Sequence, residues 1–433
     1  MDYKTVAVYW KEFEIPKALP RNVSIDINTD LITTITGPRR AGKSYCCYQL
    51  IYQLKESGIN PNNIIFINFE DERLANCNTQ DLENLIATHL ELYEVDKNQP
   101  LFLFLDEIHN VDGWEKWARR INETKKNYRL ILTGSSSKHL SSEIATSLRG
   151  RSLNHEIFPL SFKEMLEWKG LKFDIKTILH SEARINILRT FDVYLEDGGY
   201  PKIILEDLDK DRLLSTYYEV MILRDIVERF DIRNVKQLKV AATIFADSVS
   251  GEFSYNRLKN RMRSIGFDIT TSTVIDYVGY FENAYLFFQH LKYEYSTAKQ
   301  LGSIKKLYCI DNGLLNRISF RFSKDYGPLL ENIVFIELKR RRLETYYHKD
   351  ASSECDFIIK QGLSNVAAIQ VTWQLDDNTE KREINGLLRA MDAYKIKNGY
   401  LLTRDQHRVI ESEGKKIEVL PVWYFLLSPD LWA

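Results

Sequence analysis

At 433 residues the chain is long enough for two or three domains, because single hydrophobic cores stop growing at about 250–300 residues. Hydrophobic residues at 44% and charged residues at 27% exclude a disordered chain, and a formal net charge of −1 gives no whole-chain argument for a polyanionic partner. Cys46, Cys47, Cys77, Cys309 and Cys355 are odd in number and scattered, which excludes a disulfide framework or a zinc ribbon.

The first residues, "MDYKTVAVYWKEFEIPK", break their apolar stretch with charges and lack a signal-peptide layout. No run approaches the roughly 18 apolar residues that a membrane span needs. The expectation is a soluble, cytoplasmic protein with no membrane partner.

A first domain is set at 1–160. "DLITTIT" (30–36), "NIIFINFE" (63–70), "PLFLFLDE" (100–107) and "YRLILTGSS" (128–136) are continuous apolar runs, as strands covered on both faces must be. Helical stretches separate them, and that alternation predicts a doubly wound parallel sheet. Between the first strand and the helix "KSYCCYQLIYQLKESG" stands "GPRRAGKS" (37–44), which fits G-x-x-x-x-G-K-[ST] in its proper strand–turn–helix setting. The residues are Gly37, Pro38, Arg39, Arg40, Ala41, Gly42, Lys43 and Ser44. The glycines let backbone N–H groups turn toward phosphates at a helix N-terminus, Lys43 reaches the β- and γ-phosphates, and Ser44 binds Mg²⁺.

"LFLFLDE" puts Asp106 and Glu107 at the C-terminal end of a buried strand, where ligands of open α/β sheets sit. Asp106 suits Mg²⁺ and Glu107 suits the attacking water. The next strand offers Ser135, or Thr133 within it, as a sensor of the γ-phosphate; a plain polar turn is the competing reading. "SLRGRS" (147–152) offers Arg149 and Arg151, with Arg151 favoured to stabilise the transferred phosphoryl group in cis or from a neighbouring subunit. In "NFEDER" (68–73), capping of the next helix explains Asp71 and Glu72 as well as a nucleotide contact does.

Longer helices follow in a lid or linker region set at 161–235, ending in "YYEVMILRDIVERFDIRN" (217–234). The order of "GPRRAGKS", "LFLFLDE", "LTGSSS", "LRGR" and this segment resembles the AAA-type ATP-binding proteins of the archaeal and bacterial ATPase group. That resemblance spans most of the chain. It implies a P-loop ATPase, a winged helix and a restriction-endonuclease-like C-terminal domain, with ATP and Mg²⁺ as cofactors.

Residues 236–320 read as two short helices, a turn at Gly266 and a third helix, a helix-turn-helix with a winged end. Arg257, Lys259, Arg261 and Arg263 spread around one helix, and the following helix carries no Arg or Lys. Packing therefore explains it better than DNA reading. The aromatics of "YFENAYLFFQH" read as core.

Residues 321–433 give helix, three strands, helix and strand, an order that resembles the PD-(D/E)xK nuclease fold. The places its divalent-metal chemistry needs hold Glu331, Asp356 and Gln370-Val371-Thr372. Gln370 is neutral where an acid is usual, and Thr372 stands where the lysine belongs. Lys360, Lys381 or Arg382 could bring a cation in. The expectation is a nuclease-like site without cleavage. "KRRR" (339–342) reads as a solvated helix end.

The fold expected is thus α/β: a parallel-sheet P-loop domain, a helical and winged-helix middle, and an α/β nuclease-like C-terminal domain. The function expected is a Mg²⁺-dependent ATPase. The alternatives are an ATP-controlled DNA nuclease and a slow-turnover ATP switch that docks a protein. DNA, a protein partner and a homo-oligomer all stay open as partners.

Overall fold

A computed structural model describes residues 2–17, 19–134, 148, 150–320, 325–351, 353–377 and 379–429. The chain divides into two compact units, Met1–Phe158 and Pro159–Ala433. The parts expected over 161–235, 236–320 and 321–433 all fall in the second.

In the first unit β1 (Ile32–Thr36), β2 (Ile64–Asn68), β3 (Leu101–Asp106), β4 (Tyr128–Gly134) and β5 (Ser152–Glu156) form one sheet in the order β2-β3-β4-β1-β5. Every pairing is parallel. Among the described residues four α-helices accompany it: α1 (Tyr3–Glu12), α2 (Lys43–Glu56), α3 (Thr79–Leu92) and α4 (Trp114–Thr124). Successive strand residues face opposite ways, so an unbroken apolar run feeds two cores. Ile65, Leu103, Leu105 and Leu132 pack with Leu82 and Leu85 of α3 and with Trp114 and Trp117 of α4. Phe66, Phe102, Phe104 and Ile131 pack with Cys47, Leu50 and Leu54 of α2. Because β4 separates β1 from β3, the C-terminal ends of those two strands flank a crevice of the kind that takes ligands.

The second unit begins with helices. One of them, Lys210–Val220, runs on into a wide π-helical stretch at Met221–Glu228 that overlaps the "LRDIVERF" segment (223–230). Helices Val235–Ala246, Tyr255–Ser264 and Thr271–Asn283 follow, with Gly266 (φ +90°) turning the chain between the last two. Beside them β6 (Glu252–Phe253), β7 (Phe287–His290) and β8 (Lys305–Cys309) make an antiparallel sheet in the order β6-β8-β7. Phe245, Phe253, Phe281 and Phe287 are buried and meet ring to ring, so the aromatics here are core.

A six-stranded mixed sheet completes the unit, formed by β9 (Glu344–Lys349), β10 (Glu354–Gln361), β11 (Ser364–Val371), β12 (Asn398–Thr403), β13 (Arg408–Ser412) and β14 (Lys415–Pro421). Its order is β13-β14-β12-β11-β10-β9. Helix Gly327–Arg340 precedes β9, and helix Glu380–Tyr394 makes the crossover that the parallel pair β11–β12 requires. The basic run after the first of these helices is not a solvated end. Arg340 pairs with Glu337 and donates to Pro159 O. Arg341 pairs with Glu337 at 2.8 Å and donates to the carbonyls of Phe425 and Ser428. Carbonyls at the end of helix Val422–Leu427 and at its C-cap Ser428 thus take up charge that the sequence assigned to water.

The chain is α/β: a parallel-sheet N-terminal domain, a helical middle and a sheet-rich C-terminal part. Among the described residues no helix is long and apolar enough to cross a membrane.

Candidate functional site

The phosphate loop leaves the end of β1 and enters α2. Gly37 cannot be replaced without moving the backbone, because a Cβ there would lie 2.1 Å from the carbonyl oxygen of Ile157. Gly42 caps α2 at φ +99°, a conformation that costs other residues energy. Arg40, at φ +65°, adopts the left-handed region without being glycine, a strain of the sort that functional loops hold. Arg39 pairs with Glu70 at 3.1 Å. Behind the loop, the buried Arg21 donates to Ala41 O at 2.6 Å and to Phe158 O at 2.8 Å. Pro38 O accepts from Ala41 N and, at 3.3 Å, from Lys43 Nζ; the same ammonium lies 3.2 Å from Gly37 O. Lys43 also stands 3.7 Å from Glu107 Oε1.

Asp106, at the end of β3, is fully buried. Its Oδ2 accepts from Ser44 Oγ at 2.7 Å, and its Oδ1 accepts from Thr133 Oγ1. Burial and the neighbouring Glu107 push its carboxyl up to about 6, against the pull of those two hydroxyls. Ser44 and Asp106 are hard oxygen donors that converge at one point, and they fit a Mg²⁺ ion. Glu107 takes a left-handed backbone, φ +53°, and its N–H donates to Thr133 Oγ1 at 2.9 Å. Burial opposes its charge, but Lys43, His109 and Arg39 outweigh burial and hold its carboxyl below the usual value. His109 Nδ1 is 3.3 Å from Glu107 Oε2.

Of the sensor candidates, Ser135 lies outside the described residues, as does Arg149. Thr133 is committed to the acidic pair. Arg151 is not brought to the phosphates of its own chain. β1 and β5 run parallel with Ile32 opposite Ser152 and Thr36 opposite Glu156, so Arg151 stands level with residue 31, at the far end of β1 from the loop and about 20 Å from Gly37 at ~3.3 Å per residue. It is exposed and pairs with Glu123. Asp71 caps the turn that follows β2, which supports the capping reading of that segment.

A second constellation lies in the second unit. The structure brings Glu331, Asp356 and Gln370 together, but around a residue that the sequence reading passed over. Lys306 of β8, 2% exposed, reaches Asp356 Oδ1 and Glu354 Oε1 at 2.8 Å each and Glu331 Oε1 at 3.1 Å. Tyr308 donates to the same Glu331 oxygen at 2.6 Å. Burial and Asp356 push the Glu331 carboxyl up to about 8, with Lys306 pulling the other way. The amide of Gln370 is used at both ends. Its Oε1 accepts from Asp356 N at 3.2 Å and its Nε2 donates to Glu383 at 2.7 Å, so it is no spare ligand. Lys360, a candidate stand-in for the missing lysine, pairs with Glu344 instead. The signal for Lys306 was present in the sequence: "IKKLYCI" sets lysines inside an apolar strand, where an unpartnered charge is costly.

Residues 29–166 match the family model described as AAA domain, residues 188–325 a domain of unknown function (DUF8612), and residues 326–425 another (DUF4143). An uncharacterized protein of Methanocaldococcus jannaschii is 35% identical over 424 residues, 95% of this chain and 92% of that one. An uncharacterized protein of Haemophilus influenzae is 31% identical over 403 residues, 93% and 95% of the two chains. Among solved structures, the Walker-type ATPase of Pyrococcus abyssi aligns with 70% of this chain and 99% of its own, at 12% identity and TM-score 0.44. With its phosphate loop and acidic pair on an AAA domain, the chain belongs to the family of these archaeal and bacterial relatives.

Proposed function

We propose that the protein is a Mg²⁺-dependent ATPase whose nucleotide state acts on a winged-helix and nuclease-like second unit that does not cut nucleic acid. The observation that carries this reading is the convergence of Lys43, Ser44, Asp106 and Glu107 at the ends of β1 and β3. In this reading the loop amides and Lys43 hold the phosphates, and the triphosphate takes over the ammonium from the carbonyls of Gly37 and Pro38. Ser44 and Asp106 would hold Mg²⁺, which would supply neutralisation of phosphate charge. Glu107, kept anionic by its cationic neighbours, orients the attacking water and takes its proton. Thr133 fixes both acids through one hydroxyl.

Domains at 1–160, 161–235, 236–320 and 321–433 remain our division of these roles: ATPase, helical lid, winged helix and restriction-endonuclease-like fold. Helix Thr271–Asn283 carries no Arg or Lys, while Arg261 and Arg263 on the preceding helix pair with Asp247 and Asp268, which favours packing over DNA reading there. Arg149 and Arg151 stay the candidates for an arginine that acts on the phosphates in cis or from a neighbouring subunit, and a homo-oligomer in which Arg151 serves a neighbour belongs to this reading.

The test is ATP hydrolysis by wild type, Lys43→Ala and Glu107→Gln, with and without duplex or single-stranded DNA, on gels that also report cleavage. Turnover is expected in the wild type alone, with DNA intact. Unchanged turnover in Lys43→Ala sinks the ATPase reading, and DNA cleavage lost in Asp356→Ala sinks the rest. DNA-stimulated turnover identifies a nucleic-acid partner; indifference to DNA points to a protein.

A further inference from the structure

A nuclease-like fold calls for a divalent cation between Glu331 and Asp356, and the donor set can be tested against that demand. It does not fit. Asp356 Oδ1 is taken by Lys306 Nζ and Oδ2 by the N–H of Val371 at 2.9 Å. The Glu331 oxygen that faces Asp356 across the ammonium is shared by Lys306 and Tyr308. Glu354 divides its two oxygens between Lys306 and Lys349. Gln370 is spent on Asp356 N and Glu383. The cation that these acids surround is already covalently part of the chain.

We propose that Lys306 is the resident counterion of this carboxylate cluster, standing where a nuclease-like fold would hold its divalent metal, so that β8 is clamped to the six-stranded sheet and the site takes no metal.

Three further observations support it. The ammonium itself is buried, with Lys306 2% exposed, Asp356 4% and Gln370 8%, and Glu354 opens the cluster to solvent on one side. An ammonium so deeply buried persists only when its charge is matched and its protons are accepted: the carboxylates of Asp356 and Glu354 at 2.8 Å match the charge, and with Glu331 at 3.1 Å they accept the protons. Next, the residues that follow Lys306 dock the same strand on the same helix. Tyr308 stacks on Phe335 at 4.1 Å, and Asn332 bonds both the N–H and the carbonyl of Cys309. Last, the remaining neighbour adds no charge. His290, buried against Tyr308 and Phe357, is lowered to about 3 by burial and by the adjacent ammonium. A metal entering beside Lys306 would meet a positive charge within bonding distance of its own ligands and would have to displace it.

The test is uptake of Mn²⁺ alone, without nucleotide, by the full chain, read from the free-ion signal in electron paramagnetic resonance. Wild type and Asp356→Asn are expected to take up equal amounts. Lys306→Ala is expected to gain one Mn²⁺ per chain over wild type, and Lys306→Ala with Asp356→Asn to lose that gain. A wild-type site that Asp356→Asn removes overturns the proposal. So does a folded Lys306→Ala whose uptake matches wild type. If Lys306→Ala is unfolded in chelator, Mn²⁺ is expected to restore its circular dichroism, and failure to do so overturns the proposal as well.

Discussion

Ser44 Oγ donates to Asp106 Oδ2 at 2.7 Å and so joins the first turn of α2 to the last residue of β3. One hydrogen bond thereby links the phosphate loop to the acidic pair across a sheet in which β1 and β3 never touch.

Ser44→Ala removes a hydrogen bond to a carboxylate, worth about 1.5–3 kcal/mol, and kcat is expected to fall about 10- to 100-fold. Asp106 titrates at about 6 and serves Mg²⁺ as the anion, so the loss is expected to be greater at pH 6 than at pH 8. Titrating Mg²⁺ against hydrolysis at both pH values checks this; an unaltered Mg²⁺ dependence refutes it.

Thr133→Val keeps the shape of the side chain but leaves Glu107 N–H unpaired and Asp106 with one donor fewer. Stability is expected to drop by about 1–3 kcal/mol. Since the Thr133 hydroxyl is spent on the two acids, kcat is expected to fall with KM nearly constant. Thr133→Ser should restore kcat, and a Thr133→Val enzyme with wild-type kcat would remove Thr133 from the mechanism.

Glu331 carries a carboxyl raised to about 8 in the folded chain, against about 4.3 when unfolded. The folded state therefore binds the extra proton, and its stabilising effect is present below about pH 4 and lost as pH rises through 8. The second unit is expected to melt at progressively lower temperature from pH 5 to pH 8, with a slope of at most about 1.4 kcal/mol per pH unit from this group. Glu331→Gln, which mimics the protonated acid, should flatten that dependence; an equally steep profile in the variant assigns it to other groups.

Arg341→Ala removes an ion pair with Glu337 and two donors to the carbonyls of Phe425 and Ser428. A loss of about 2–3 kcal/mol is expected in urea unfolding of the second unit. A change within about 0.5 kcal/mol would return this arginine to the solvated surface.

The phosphate loop and the acidic pair were legible because both are local motifs bounded by unbroken apolar strands, and the parallel sheet follows from the same runs. Thr133 and Ser135 could not be told apart from sequence, since that choice depends on β4 lying between β1 and β3. The place of Arg151 turned on the register of β5 against β1, which pairing alone reveals. Lys306 escaped notice because its acids stand 25 and 50 positions further along the chain. For Arg341, the spacing to Glu337 is visible on a helix face, whereas the two carbonyls that bury it are about 85 positions away.

Arg21 and Gly37 give the phosphate loop a rigid back wall. One guanidinium spans Ala41 O and Phe158 O, and the backbone of Gly37 lies so close to the Ile157 carbonyl that no side chain could intervene. A loop braced in this way has no slack behind it. A side chain at 37 or the loss of the Arg21 guanidinium would therefore shift the loop against residues 157 and 158, much as removing a shim unseats the part it backs.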